Sequence, residues 1–432
     1  MQHPLQILEQ YWNFTSFKPL QEDIINSVLE GNDTFALLPT GGGKSLCFQI
    51  PVLINDGICI VISPLIALMK DQVAALKELN IKAIALTSTY KYDELSTLLD
   101  NCIYGNYKFL YLSPERLQQD IVQDRIRQMN VSLIAVDEAH CISQWGNDFR
   151  PAYKNIKLLR ELQPSVNCIA LTASAKPEVI HDIVKELDFI DTKIFKQSFY
   201  RENLAYMVFE TEDKFYKIKQ ILKKSPSSSI IYVRNRKSTL EISNALNNLG
   251  YTSTYYHGGL SVKEKDAHFS NWINNRTQVM VATNAFGMGI DKPDVKTVIH
   301  LALPENLENY YQEAGRAGRN GQKAYAIMLK NNGDDLVLEN QFIKTLPTAK
   351  DLKFIYRKLN SYLGVAYQEG DHTTHDFNIF EFCKTYSLNI HKVVNAVTFL
   401  DRQGILRFTK EFKNKTHIHF QVTSSVLIDY IV

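Results

Sequence analysis

Apolar residues gather in runs of four or five along most of the chain, and longer amphipathic stretches separate them. Such runs at 34–38, 59–62, 109–112, 133–136 and 168–171 read as strands buried on both faces. Strands alternating with helices predict a parallel sheet covered on both sides. A second series follows at 230–233, 252–256, 279–282, 298–301 and 324–328. The first series closes before 199–203, where the boundary between two α/β layers is expected. The halves share no short repeat, which excludes a solenoid.

Past residue 331 the pattern changes. Thr348 caps a predicted helix with Asp351 in an approximate capping box, running to about 363. Residues 364–376 are polar and contain glycine, which reads as a linker. Two short amphipathic helices are predicted at 377–386 and 391–403, the second ended by Gly404. Residues 405–408 and 416–422 alternate like a hairpin. Together these make a small winged-helix-like module. Such a module serves equally to bind duplex DNA or to pack on a neighbour, and both readings stay open. The expected division is 1–200, 201–345 and 346–432.

Candidate chemistry sits in the junctions of the first series. Leu38-Pro39-Thr40-Gly41-Gly42-Gly43-Lys44-Ser45 lies between a predicted strand and a predicted helix start. The glycines let the backbone curl so that several N–H groups face one phosphate, and the helix adds its positive end. Lys44 is placed to reach terminal phosphates and Ser45 to hold Mg²⁺. Leu38 stands where the first glycine of a P-loop is usual. The bland alternative is a glycine turn with a chance Gly-Lys-Ser, and the strand–loop–helix context argues against it. The apolar run 132–136 ends in Asp137-Glu138-Ala139-His140. Asp137 at a strand end suits Mg²⁺, and Glu138 suits polarising an attacking water. Alone the tetrad could be a solvated acidic turn; beside a P-loop it points to nucleoside triphosphate hydrolysis.

Composition narrows the picture. The chain has 432 residues, 45% of them hydrophobic, enough for two or three domains with cores. No apolar run reaches membrane-spanning length, and the first residues lack the regions of a signal peptide. A cytosolic, nuclear or nucleoid-associated protein is expected. With 48 basic and 46 acidic side chains the net charge is only +2, so any contact with nucleic acid comes from a local basic groove. Cys47, Cys59, Cys102, Cys141, Cys168 and Cys383 form no Cys-x-x-Cys pair, so reduced, buried thiols and no zinc site are expected. His372, His375, His417 and His419 are the other ligand candidates, the last two reading as a polar strand face.

Weaker signals cluster around the same junctions. Ser63-Pro64-Leu65 and Ser113-Pro114-Glu115-Arg116 each follow a predicted strand, where hydroxyls suit a phosphate backbone, although Ser-Pro is also a common turn. Trp145 and Phe149 lie in the loop 141–153 with Arg150 beside them. Aromatic faces there suit stacking on unpaired bases and Arg150 suits a phosphate; the competing reading makes both aromatics core. Gly146 and Asp148 favour a surface loop. In the second half, Gln312-Glu313-Ala314-Gly315-Arg316-Ala317-Gly318-Arg319 carries two arginines three apart, one face of a helix. From there they could counter charge on a triphosphate bound by the first half.

These motifs resemble superfamily 2 helicases, and within them the RecQ-type DNA helicases. Asp137 to His140 matches the DEAH box, and residues 141–151 are similar to the family's aromatic-rich loop. Phe17-Lys18-Pro19-Leu20-Gln21 resembles its adenine-reading motif. Residues 281–293, 256–260 and 310–321 match further motifs, and the likeness covers roughly 5–328. Departures are Lys18 for an arginine, Asn147 for a histidine, Lys176 for a threonine and Asn320 for an aspartate. The family's long members carry a four-cysteine zinc module that this sequence lacks, and no HRDC-type domain is visible.

The resemblance implies an α/β fold with two RecA-like domains in tandem and a small winged-helix-like module after them. It implies ATP and Mg²⁺ without zinc, and 3′ to 5′ movement on single-stranded DNA with unwinding of forked or tailed duplexes. By it, Phe14 stacks on adenine, Gln21 bonds it, and Lys18, Thr40 to Ser45, Gly289 and Asp291 complete the nucleotide site. Catalysis falls to Lys44, Asp137, Glu138, His140, Arg316 and Arg319, with Ser45 and Asp137 on Mg²⁺. DNA contacts fall to Ser63, Pro64, Ser113, Arg116, Trp145, Phe149, Arg150, Arg236, His257 and Thr283. A monomer acting in repair and recombination is implied, with no membrane; protein partners stay unknown, a single-strand-binding protein or a topoisomerase being the candidates the resemblance offers. In a bacterium it would be cytoplasmic and nucleoid-associated.

Overall fold

The structure, a computed structural model, describes residues 3–87, 90–143, 149–287, 292–366, 369–371, 373–409 and 416–420. The chain divides into two compact units, 1–330 and 331–432.

The first unit holds two all-parallel sheets. The first comprises β1 Thr34–Leu37, β2 Ile58–Ile62, β3 Ala83–Leu86, β4 Phe109–Leu112, β5 Val131–Val136, β6 Cys168–Thr172 and β7 Lys193–Lys196, in the order β3-β4-β2-β5-β6-β1-β7. The second comprises β8 Leu204–Glu210, β9 Ser229–Tyr232, β10 Ser253–Tyr256, β11 Val279–Ala282, β12 Thr297–His300 and β13 Ala324–Lys330, in the order β10-β11-β9-β12-β13-β8.

The unbroken apolar runs have a direct cause. Alternate residues of a strand face opposite sides. Ile58, Ile60 and Ile62 of β2 enter one core with Leu110 and Ile134, while Cys59 and Val61 enter the other with Phe109 and Leu133. The second sheet repeats this, Ile230 and Met280 on one side, Ile231 and Val281 on the other. Each such side chain, fully buried, contributes roughly 1.5–3 kcal/mol. All the strands of a sheet run one way, so their carboxyl ends form one edge, and the loops at 38–45, 63–65, 113–116 and 137–140 leave such ends, whereas the arginine turn leads from helix Leu307–Ala314 into β13. All six cysteines are free and buried, and burial pushes the Cys47 and Cys102 thiols up to about 12.

In the second unit, helix Ala349–Leu363 starts with the predicted capping box: Thr348 N donates to the Asp351 carboxylate at 2.9 Å and Asp351 N to Thr348 Oγ1 at 3.2 Å. Helices Ile379–Thr385 and Ile390–Arg402 pack with it around Ile355, Leu359, Phe382, Val397 and Ile418. Three antiparallel strands, β14 Thr374–Phe377, β15 Leu406–Thr409 and β16 Thr416–Phe420, order as β14-β16-β15. The expected linker therefore ends in a strand. His372 and residues 421–422 of the expected hairpin lie outside the described residues. No helix among the described residues is long and apolar enough to cross a membrane.

Candidate active site

The P-loop leaves β1 and enters helix Leu46–Ile54. Leu38, at the position of the missing glycine, is fully buried, so a core side chain ends the strand there. Gly43 has φ +72°, and a Cβ on it would collide with Gln21 Nε2. That amide donates to the Gly42 and Gly43 carbonyls at 3.2 and 3.1 Å, while Gln21 Oε1 accepts from Lys18 N at 2.8 Å. Lys18 Nζ donates to Gly41 O at 2.7 Å. Gln21 is 1% exposed, so the expectation that it bonds adenine meets an amide already engaged in shaping the loop. Phe14, 54% exposed, keeps a free face for a base.

The carboxylates follow β5. Asp137 N donates to Ile62 O at 2.9 Å, pinning the turn to the end of β2, and Tyr153 Oη donates to Asp137 O at 3.1 Å. Asp137 Oδ1 accepts from Glu138 N at 2.9 Å. Glu138 adopts the left-handed conformation, φ +48° and ψ +46°, an uncommon choice for a residue with a side chain and one that clusters at functional sites. Burial, then the neighbouring Glu138 charge, push Asp137 up to about 7, against Lys44 and His140. Glu138 Oε2 is buried 3.4 Å from His140 Nδ1 and accepts no hydrogen bond among the described residues. Two close carboxylates with one orphaned oxygen make a site short of positive charge. The Asp137 carboxylate and the Ser45 hydroxyl are oxygen donors of the kind a hard divalent cation takes, and the unpartnered Glu138 oxygen is left to accept a proton.

From the carboxylates a chain of polar contacts reaches the second sheet's domain. His140 Nδ1 lies 2.8 Å from Thr172 Oγ1, whose hydrogen goes to Ser174 O at 3.2 Å. The imidazole therefore donates through Nδ1. Gln312 Nε2 donates to Ser174 Oγ at 3.1 Å. Beside this, Lys176 Nζ pairs with Glu308 at 2.9 Å, so the lysine that departs from the family pattern bridges the two domains.

The arginine pair is arranged differently from expectation. Helix Leu307–Ala314 ends before both, and Gly315 to Asn320 form turns with Gly318 at φ +66°, so the two do not share a helical face. Arg316 is 5% exposed, inside its own domain, where its charge acts on the Tyr232 phenol against the burial that raises the phenol's pKa. Arg319 packs over the P-loop: a Cβ on Gly41 would lie 3.3 Å from its Cγ. Thr40 Oγ1 donates to Gly315 O at 3.2 Å. Arg201, unremarked in the sequence, donates to Gly315 O at 3.0 Å and Gly318 O at 2.6 Å and so fixes the turn.

The strand-contact candidates fall on the same edges with uneven accessibility. Ser63 is 1% exposed and Pro64 is buried, so neither side chain offers a surface to a strand in this form. Arg150 NH1 donates to Pro64 O at 2.8 Å, and Arg116 donates to the Thr87 carbonyl and to Gln119 Oε1; both guanidinium groups thus brace loops. Ser113 is partly exposed, and Lys154 lies over the Phe149 ring. On the second edge Arg236, His257 and Thr283 follow β9, β10 and β11. Arg236 is exposed and lies over Gly259. Burial and that guanidinium lower the His257 pKa, keeping the ring neutral, and Thr283 is buried. Trp145, Gly289 and Asp291 lie outside the described residues.

Comparison with known proteins bears on this arrangement. A DEAD/DEAH box helicase family model matches residues 18–183, and a helicase conserved C-terminal domain model matches 213–321. The chain is 40% identical to the probable ATP-dependent DNA helicase RecS of Bacillus subtilis, over 82% of this chain and 72% of that protein. The chain belongs to the RecQ-type helicases. It is 42% identical to the same organism's ATP-dependent DNA helicase RecQ, of which it spans 56%, and 42% identical to a putative ATP-dependent RNA helicase of Acanthamoeba polyphaga mimivirus, of which it spans 62%. Among solved structures it resembles Saccharomyces cerevisiae Dbp5, with 18% identity, TM-score 0.63 and coverage of 79% of this chain and 90% of that one. Lhr of Mycobacterium smegmatis gives 16% identity and TM-score 0.62 over 94% of this chain and 59% of that one. At those identities the likeness is one of fold: two RecA-like domains in tandem.

Proposed function

We propose that this RecQ-type protein is an ATP-dependent helicase that moves 3′ to 5′ along single-stranded DNA and opens duplex ahead of it, serving repair and recombination. The observation that carries the reading is the docking of Arg319 and Gly315 of the second domain on Gly41 and Thr40 of the P-loop. Phosphates held by that loop then touch both domains, and their hydrolysis changes what holds the domains together.

The residues divide the work. P-loop amides and Lys44 hold the terminal phosphates. Mg²⁺, held by Ser45 and Asp137, supplies neutralisation of phosphate charge when bound. Glu138 orients the attacking water and accepts its proton, its orphaned carboxylate oxygen being free to do so beside His140. Arg319 meets the charge that develops on the transferred group. Once the terminal phosphate leaves, Arg319 loses its partner and the cleft relaxes. The two strand-contact edges then move relative to one another, stepping the protein along the strand.

The expected location is the cytoplasm, at the nucleoid in a bacterium, and the cofactors are ATP and Mg²⁺ without zinc. Unwinding of duplexes with 3′ or 5′ tails, alongside ATPase activation by DNA and by RNA, tests the reading. Selective opening of 3′-tailed DNA supports it. Activation by RNA in preference to DNA would overturn it in favour of the activity named for the mimivirus relative.

A further inference from the structure

A polar ring stands behind the P-loop that the catalytic reading does not use. Gln72 Nε2 donates to Ser45 Oγ at 3.0 Å. Tyr111 Oη donates to Gln72 Oε1 at 2.9 Å, and the Gln49 side chain favours the ionised form of the same hydroxyl against the burial that raises its pKa. Gln49 lies one turn beyond Ser45 on helix Leu46–Ile54, so the buried polar groups around Tyr111 and Ser45 share that helix. Tyr111 and Gln49 are 1% and 6% exposed. The phenol has a single hydrogen. Given to Gln72 Oε1, it fixes which way the amide faces and points the NH₂ group at Ser45. That N–H occupies one lone pair of Oγ and sets the hydroxyl rotamer, leaving the second lone pair for a cation.

The ring's outer members stand on the elements that lead to the strand-contact loops. Gln72 rides helix Ile66–Glu78, which begins directly after Ser63-Pro64-Leu65, and Tyr111 lies on β4, two residues before Ser113. Arg150, from the aromatic loop, donates to Pro64 O at that same helix start. A strand seated on these loops therefore bears on the helix that aims Gln72. Hydrogen bonds weaken steeply with misalignment, so a small displacement changes how Oγ is presented.

We propose that Gln72 is a positioning residue that relays strand occupancy at the loops after β2 and β4 to the Mg²⁺-holding hydroxyl of Ser45. The proposal rests on the functional reading above in taking these loops to meet DNA.

The test is equilibrium binding of a fluorescent non-hydrolysable ATP analogue across a Mg²⁺ titration, with and without saturating oligo-dT, using the full chain. In the wild type, oligo-dT is expected to lower the half-saturating Mg²⁺ concentration by about five-fold or more, within the usual range of coupling. Gln72→Met keeps the side chain's length without its hydrogen bonds and should make that concentration independent of oligo-dT, with oligo-dT affinity by anisotropy unchanged. Tyr111→Phe removes only the hydroxyl, should act in the same direction, and carries the comparison should Gln72→Met fail to fold. A Gln72→Met protein that keeps the wild-type shift overturns the relay, as does one that loses oligo-dT affinity itself. A wild type that binds oligo-dT without any Mg²⁺ shift also overturns the relay alone. A wild type that binds no oligo-dT overturns the functional reading beneath it.

Discussion

At the scale of single residues, Asp137 makes the most direct prediction. Its carboxyl is held at about 7 by burial and by Glu138, against 3.8 for an ordinary aspartate. Between those values the folded state carries the extra proton. The group's contribution to stability is therefore present at low pH and lost as pH rises through about 7. A cation that binds the ionised carboxylate competes with that proton. Added MgCl₂ should thus raise the melting temperature more at about pH 8 than at about pH 6, with EDTA reversing it. A larger shift at the lower pH would remove Asp137 from the metal site. The two arginines separate in the same spirit. Arg319→Ala should lose on the order of 10³-fold in ATP turnover with an unchanged melting temperature, as expected for a group that meets transition-state charge. Arg316→Ala removes a side chain buried inside its own domain, leaves a void there, and should lower the melting temperature as well. Turnover beside a thermal melt tells them apart, and equal melting losses in both variants would contradict the assignment.

At the scale of elements, the turn that carries Arg319 depends on close approach. A Cβ on Gly315 would collide with Thr40 Oγ1 and sit 2.9 Å from Tyr311 O. Gly315→Ala should therefore bind nucleotide through the intact P-loop but hydrolyse it slowly. Analogue affinity near wild type with turnover down about ten-fold or more is the expected pair, a transition-state loss of roughly 1.4 kcal/mol. Normal turnover would mean that the docking seen here is dispensable. The element scale also shows what the sequence makes legible. Central strands such as β2 and β11 announce themselves because both faces are buried. β3, β7, β8 and β14 escape notice, and all four are edge strands. The Lys193–Lys196 strand is largely exposed, and β8 exposes Tyr206, Met207 and Val208. Half-wet strands lose the apolar run that identifies a strand; β3 is the exception, buried and apolar at all four positions, and its short run was there to be read. The site divides likewise. Lys44, Ser45, Asp137 and Glu138 are readable because each motif is contiguous. The Ser174–Gln312 contact, the Arg201 brace and the Gln72 ring join residues far apart in sequence, and no local pattern marks them. Gln49 within an otherwise apolar helix, and Tyr111 within β4, are the faint signals that were there to be read.

At the scale of the whole molecule, a net charge of +2 leaves no general attraction for a polyanion. On the proposed function, binding to single-stranded DNA comes from local groups, for which Arg236 is a candidate, and its salt dependence counts them. The log–log slope is expected near −0.7 for each phosphate neutralised, and a flat response would argue for another partner. The order of strands in the first sheet reaches further, into how the chain is made. β1, which delivers the P-loop, is hydrogen-bonded only to β6 and β7, strands that end at Thr172 and Lys196. At ordinary translation rates, on the order of ten seconds pass between synthesis of β1 and arrival of those neighbours. During that interval the whole glycine-rich sequence has left the ribosome with nothing to pair against. Nucleotide binding is thereby deferred until the first domain is complete, and a nascent chain arrested part-way through it carries the phosphate-binding motif but no phosphate-binding site.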